Sequence, residues 1–224
     1  MIKETNSSKA FGAIFALLAS IVMPTVGASV ASAEEIIFRD APDPLDVELV
    51  NLFANGNGCP GGLQPGQATL ADDASALLID YGMMGAVSGA NQPIPNSRRV
   101  CSVAIQLNAP AGWTYRIVEA GFLYGARIQA EAVGTIKIET WIQGTSSGTD
   151  SDQLRIEGPV AKSDGAQLLF PNSPFVPCTE QRQLNFKNAL TVPFGESFSR
   201  VRFQSPVAYR IEWKKCETGD VLGL

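Results

Sequence analysis

The segment Val207 to Trp213 carries Val207, Tyr209, Ile211 and Trp213 at every second position, with Arg210 and Glu212 between them. Successive side chains of an extended strand point to opposite faces, so this spacing puts four large apolar groups on one side and the charges on the other. The same period of two recurs along the chain. In Val100–Leu107 the set Cys101, Val103, Ile105 and Leu107 opposes Ser102, Ala104 and Gln106. Trp113–Val118 sets Trp113, Tyr115 and Ile117 against Thr114 and Arg116. After Gly121, the run Phe122–Glu131 sets Phe122, Tyr124, Ala126, Ile128 and Ala130 against Gly125, Arg127, Gln129 and Glu131. Thr135–Ile142 turns Ile136, Ile138 and Ile142 inward and Lys137, Glu139 and Trp141 outward. A polar loop, Gln143–Asp152, leads to a short strand at Gln153–Glu157, and Leu184, Phe186, Leu190 and Val192 alternate later. Ala76–Tyr81 is assigned to a strand in preference to a short helix over Ala71–Asp80. Half-buried strands separated by Gly/Pro turns predict an all-β fold, an antiparallel β-sandwich of jelly-roll-like type.

The turns have the expected chemistry. Asn108–Gly112 is a Pro/Gly turn, and Pro42-Asp-Pro44 and Pro93-Ile-Pro95 predict extended loops, because proline restricts itself and the residue before it. Composition narrows function more than fold. The chain has no histidine, which removes Ser-His-Asp triads, Cys-His pairs and imidazole metal sites. Its formal charge of −5 argues against nucleic acid as a partner. No cofactor is implied by any motif.

Residues 1–33 are organised as a secretory signal peptide. Lys3 and Lys9 precede the apolar run Phe11–Met23, Pro24 breaks it, and Ala31-Ser-Ala33 supplies the small-x-small cleavage pattern. The apolar run is shorter than the ~20 residues a spanning helix needs. No Cys follows it to take a lipid, and no twin-Arg precedes it. Cleavage after Ala33 removes Lys3, Lys9 and Glu4 and takes the charge from −5 to −6. The expected organisation is then an extended segment over 34–47, one secreted domain over 48–218 and a short tail over 219–224. No second run of spanning length follows, so the processed chain is expected off the membrane. Its place is outside the cell, or in the periplasm of a Gram-negative source.

All four cysteines, Cys59, Cys101, Cys178 and Cys216, lie beyond the signal peptide. Widely spaced cysteines with no Cys-x-x-Cys pair point to two disulfides rather than to zinc, and four cysteines allow three connectivities. The sequence-local pairing would close two loops of ~40 residues, each worth about 4 kcal/mol in the chain-entropy account.

Five landmarks occur in order: Asn57-Gly-Cys-Pro60, Asn96-Ser-Arg-Arg-Val-Cys101, Pro110-Ala-Gly-Trp113, Ser173-Pro-Phe-Val-Pro-Cys178 and Tyr209-Arg-Ile-Glu-Trp213. Together they resemble the domain-of-unknown-function 4360 family of small secreted bacterial and fungal proteins, over roughly Glu48 to Cys216. The chain departs from the family pattern at Phe175-Val-Pro-Cys-Thr179, where Trp-Ser-Pro-Cys-Gly is more usual. The resemblance implies export, a β-rich fold and structural cysteines, and it implies no activity.

Candidate chemistry is sparse. Asp72, Asp73, Glu119, Glu131, Glu139, Asp150 and Asp152 could serve a polysaccharide hydrolase only if two of them faced each other across a cleft. No spacing in the sequence demands that, and no catalytic residue is assigned. Ser146–Asp152 offers Asp150 and Asp152 as hard oxygen ligands for Ca²⁺ but lacks the rest of a calcium loop. Gly56-Asn-Gly-Cys-Pro-Gly-Gly62 lacks the Gly-Lys-Ser/Thr ending of a phosphate loop and reads as a disulfide-tied turn. Arg98, Arg99, Arg200 and Arg202 make small basic spots, of which Arg200 and Arg202 share a strand face. Trp141, outward beside Lys137 and Glu139, is the leading candidate ligand contact, with Trp113 second. The expected role is non-catalytic binding of a glycan or surface protein. A carboxylate hydrolase and a matrix or coat component are the alternatives.

Overall fold

A computed structural model describes residues 41–217 except 65, 145–147 and 179. The expected signal peptide and the tail 219–224 lie outside the described residues. The chain is all-β, in two antiparallel sheets. One has five strands, in the order β1 (Glu48–Asn55), β5 (Arg98–Asn108), β10 (Leu184–Thr191), β7 (Val133–Ile142) and β8 (Thr149–Glu157). The other has seven: β2 (Ala68–Leu70), β3 (Ala76–Ile79), β12 (Val207–Lys215), β6 (Trp113–Ile128), β11 (Ser199–Phe203), β4 (Gly85–Ser88) and β9 (Val160–Leu169). The long β6 is its spine, pairing β12 and β11 along one edge and β9 along the other. Passage from β5 to β6, β6 to β7, β8 to β9, β9 to β10 and β10 to β11 crosses between sheets, the connectivity of a jelly-roll-like sandwich.

The alternating sets of β5, β7, β10 and β12 land where the period of two puts them. Cys101, Val103, Ile105 and Leu107 are buried, as are Ile136, Ile138 and Ile142, Leu184, Phe186 and Leu190, and Val207, Tyr209, Ile211 and Trp213. Phe186 and Tyr209 meet across the sandwich with ring centroids 4.2 Å apart. Burying a side chain of that size contributes about 2 to 3 kcal/mol.

Three details differ from the expectations. Trp113–Val118 and Phe122–Glu131 are one strand, not two. Ile117 pairs Ile211 and Glu119 pairs Arg210, so Val118 is an extra residue in the ladder. That bulge shifts the inward phase from Tyr115 and Ile117 to Ala120, Phe122 and Tyr124, which is why the pattern looked interrupted. The strand then stops at Ile128, and Ala130 is exposed in the turn before Glu131, whose φ is +60°. Second, β8 begins at Thr149 rather than Gln153, and β9 is a strand that alternation does not reveal. Third, the two proline-rich loops each contain a 3-10 turn, Pro44–Asp46 and Ile94–Ser97, with proline at the start, where its missing N–H costs nothing.

The disulfides are Cys59–Cys101 and Cys178–Cys216, the sequence-local pairing. The first holds the turn after β1 to β5. Around it Asn57 donates to the Arg98 carbonyl and accepts from the Val100 amide, and Arg99 donates to the Asn57 carbonyl and to Asn96 Oδ1. Gly56 lies against the Val100 carbonyl, where a Cβ would come within 2.1 Å, and its φ is +128°. This is the disulfide-tied turn expected of the glycine-rich stretch. The second disulfide ties the loop before β10 to the end of β12, where the Cys216 amide donates to the Gly112 carbonyl.

Candidate functional site

The outward positions of the five-stranded sheet form rows set by its register. One row crosses all five strands: Phe53, Ala104, Asn185, Trp141 and Thr149. The adjacent row is Asn55, Ser102, Lys187, Glu139 and Ser151. Phe53 is 64% exposed and Trp141 is half-buried, three strands away, about 14 Å at ordinary strand spacing. Between the two rings, Ala104 and Asn185 keep the surface low.

Amides border that row. Asn51 Nδ2 donates to Gln106 Oε1 (2.9 Å), Gln106 Nε2 to Gln181 Oε1 (3.1 Å) and Gln181 Nε2 to Asn108 Oδ1 (3.4 Å). These groups are exposed, and each amide keeps donor or acceptor capacity beyond the ladder. The ladder leads into a cleft of about 190 Å³ at the end of the sheet, lined by Asn108, Trp113, Gln181 and Arg182 among others. Arg182 donates to the Gln143 carbonyl, two residues past Trp141, and pairs with Glu180. Trp113 is half-buried there with Lys215 Nζ 5.4 Å from its ring centroid. The two tryptophans therefore belong to different sheets, and the amide ladder and Arg182 link the neighbourhoods of both.

Beside Trp141, Glu139 receives Lys137 (2.7 Å) and Lys187 (2.8 Å). Burial works to raise its carboxyl, but the hydrogen bonds and charges of the two lysines outweigh that and hold it below the usual carboxylate range.

The other carboxylates are engaged separately. Glu119 pairs with Arg210 (3.2 Å) on the seven-stranded sheet, and Asp73 accepts from the Ser75 amide and hydroxyl. Asp150 accepts the Asn172 amide (2.7 Å) and Asp152 the Leu169 amide (3.0 Å), each also taking the amide of the next residue. Their oxygens fasten β8 to the end of β9. Part of the Ser146–Asp152 loop lies outside the described residues. Among the described residues no three carboxylates or cysteines gather where they could hold a metal ion. Asp72 and Glu131 are exposed in turns.

Sequence reading missed Phe53, Asn51, Gln106, Gln181 and Asn185. Phe53 sits in a strand that is apolar on both faces, Leu49-Val-Asn-Leu-Phe-Ala54, with a register shift between Leu49 and Asn51 that spoils the alternation. The amides had no signal, because they become a set only when β1, β5 and the loop before β10 are side by side.

The fold and cysteines define a disulfide-stapled antiparallel β-sandwich, a type of domain at home in oxidising compartments. The chain belongs to the family described as Domain of unknown function (DUF4360), which matches residues 46–216. It is 27% identical over 123 residues to an uncharacterized secreted protein of Arthroderma benhamiae, a match covering 55% of this chain and 49% of that one. The chain thus spans about half the length of that curated relative. Among solved structures it is similar to deformed wing virus carrying the GFP gene (10% identity, 96% of this chain and 58% of that chain, TM-score 0.26). It is also similar to Broad Bean Stain Virus (14%, 69% and 91%, TM-score 0.28). A third is the Clostridium thermocellum xylanase 10B CBM22-1–GH10 modules complexed with xylohexaose (9%, 64% and 26%, TM-score 0.23). At these scores the likenesses carry no argument.

Proposed function

We propose that this chain is a secreted, non-catalytic binder of neutral polysaccharide, using the outer face of the five-stranded sheet. The observation that carries the reading is the row that sets Trp141 and exposed Phe53 on one face with amides beside them. An aromatic ring offers a flat apolar surface to the C–H side of a sugar, and amides offer both donors and acceptors to hydroxyls. A sheet face holds such groups without rearrangement on binding, which keeps the entropic cost low. The carboxylates support binding over hydrolysis, since Glu119, Glu139, Asp150 and Asp152 are each held by cations or backbone amides.

The test is retention of the disulfide-intact secreted chain on a panel of immobilised polysaccharides. Native protein is retained by at least one neutral polymer, and Trp141→Ala weakens that retention about thirtyfold, as loss of an aromatic anchor does. Failure of native protein to bind any neutral polymer overturns the reading, as does unchanged binding by Trp141→Ala.

A further inference from the structure

We infer that the outer face of the seven-stranded sheet is a second, separate binding surface, built to take the carboxylates of an acidic, uronate-containing polysaccharide. Arg200 of β11 lies directly opposite Arg127 of β6, and Arg202 follows two residues along β11 on the same face. Their strand neighbours Ala126, Ile128, Ser199, Val201 and Phe203 are buried, so the three guanidinium side chains leave the sheet outward. Directly opposed residues sit about 5 Å apart and residues two along a strand about 7 Å.

Among the described residues no carboxylate pairs with any of the three, although the chain as a whole is acidic. Every other ion pair on the strand faces is made between close neighbours, as in Arg116–Glu212 and Arg210–Glu119. Like charges placed directly opposite destabilise a sheet, and this pair is left uncompensated. Arg202 adds a second irregularity, because its Nε is buried and has no hydrogen-bond partner.

The surroundings fit an extended sugar chain. Arg202 pairs with Gly85 on one side and Gly125 on the other, and the Gln204 side chain lies over Gly125, where a Cβ would come within 2.8 Å of its Nε2. A Cβ at Gly85 would stand 2.8 Å from that of Arg202. Gln204 Nε2 donates to Ser163 Oγ next to Gly125, and Gln129 donates to the Phe198 carbonyl at the other end. Phe198 is 39% exposed, with the Arg127 guanidinium 5.6 Å from its ring centroid. The face therefore offers charge for carboxylates, polar groups for hydroxyls and one ring for a sugar's apolar side. Guanidinium forks match planar carboxylates in two parallel hydrogen bonds.

Binding to polygalacturonate decides the matter, measured by calorimetry or affinity electrophoresis on the disulfide-intact secreted chain, with the fully methyl-esterified polymer beside it. Native protein binds the acid form, releases it as salt is raised, and ignores the ester. Arg200→Gln and Arg127→Gln each weaken binding about tenfold, the loss of one charged hydrogen-bonding group. Arg127→Lys, which keeps the charge and loses the fork, falls between and serves should either Gln variant fail to melt cooperatively. Arg155→Gln, on β8 of the other sheet, and Trp141→Ala leave binding unchanged. The inference is overturned if acid and ester bind alike or neither binds. It is also overturned if the Arg127 and Arg200 variants match native protein, or if Arg155→Gln loses as much as they do. Because Trp141→Ala separates the two faces, failure here leaves the neutral-polysaccharide reading standing, and the converse.

Discussion

The two faces of the five-stranded sheet carry similar chemistry, aromatic rings beside amides, and dispose of it in opposite ways. On the inner face Asn188 sits among Phe186, Tyr81 and Tyr209 in a closed ring of hydrogen bonds. Asn188 Nδ2 donates to the Tyr81 hydroxyl (2.7 Å), Tyr209 donates to Asn188 Oδ1 (2.9 Å), and the two hydroxyls meet at 2.7 Å. With the other two bonds fixed, the Tyr81 hydroxyl is the donor to Tyr209, so each group both gives and receives. On the outer face the Asn51–Gln106–Gln181–Asn108 ladder lies at the surface, with Phe53 exposed and Trp141 half-buried, and among the described residues no third sheet lies over them. A closed buried network fixes how two sheets register, whereas an open one has capacity left for a ligand. The contrast turns on stability for the inside and affinity for the outside.

The largest way to break it is alkali. Burial raises the Tyr81 hydroxyl well above its usual pKa, with the neighbouring Tyr209 adding to the shift. Burial likewise raises Tyr209 and pushes Tyr115 up to about 12. In the unfolded chain each ionises near 10. Between pH 10 and 12 the folded state therefore holds three protons that the unfolded state has lost. Stability, complete below pH 10, is expected to fall by about 4 kcal/mol per pH unit across that window, about 1.4 for each tyrosine. Urea unfolding followed by tyrosine absorbance should show ionisation and unfolding together. Tyrosines titrating near pH 10 in a still-folded protein would contradict the closed interior.

Asn188→Ala comes next. It removes two hydrogen bonds and leaves the Tyr81 and Tyr209 hydroxyls without the partner that closes the ring, at an expected cost of about 3 kcal/mol. The urea midpoint should fall while retention on polysaccharide by the folded protein stays the same. Trp141→Ala should do the reverse, costing about 1 kcal/mol of stability or less while weakening binding about thirtyfold. Equal destabilisation by the two variants would make Trp141 a packing residue and dissolve the distinction between the faces.

How far the sequence leads depends on the same distinction between inside and outside. The inward phases of β5, β7, β10 and β12 are readable because one side of each strand is buried and the other is wet. Even Asn188 leaves a trace, as the polar gap in Leu184, Phe186, Leu190 and Val192. β9 leaves none. Seven of its ten residues are exposed, so no alternation is imposed on it, and it is held by pairing with β6. The Val118 bulge hides the continuity of β6, because a shifted phase looks like a break. The family landmarks are mostly structural. Asn57, Arg99 and Gly112 dress the two disulfides, and Tyr209 and Trp213 are core. Phe53, Gln106 and Arg127 belong to surfaces that exist only once distant strands pair, which is why motifs along the chain do not point to them.

The smallest expected effect tests whether charge on the outer face serves the fold at all. Glu139 bridges Lys137 and Lys187 beside Trp141, and its carboxyl is held below the ordinary range. A carboxylate depressed in the folded state contributes stability above its unfolded pKa of about 4.3 and loses it as the pH falls through the lower folded value. The side chains involved are partly exposed, at 41%, 20% and 36%, so water screens the pair and the contribution is below about 1 kcal/mol. Glu139→Gln should therefore lower the urea midpoint slightly at pH 7, and by progressively less as the pH falls below about 4.3. A loss of several kcal/mol at pH 7 would mean that the outer face is held together as tightly as the Tyr81–Asn188–Tyr209 ring. A Trp141 platform could then not be removed or refitted without disturbing the sheet beneath it.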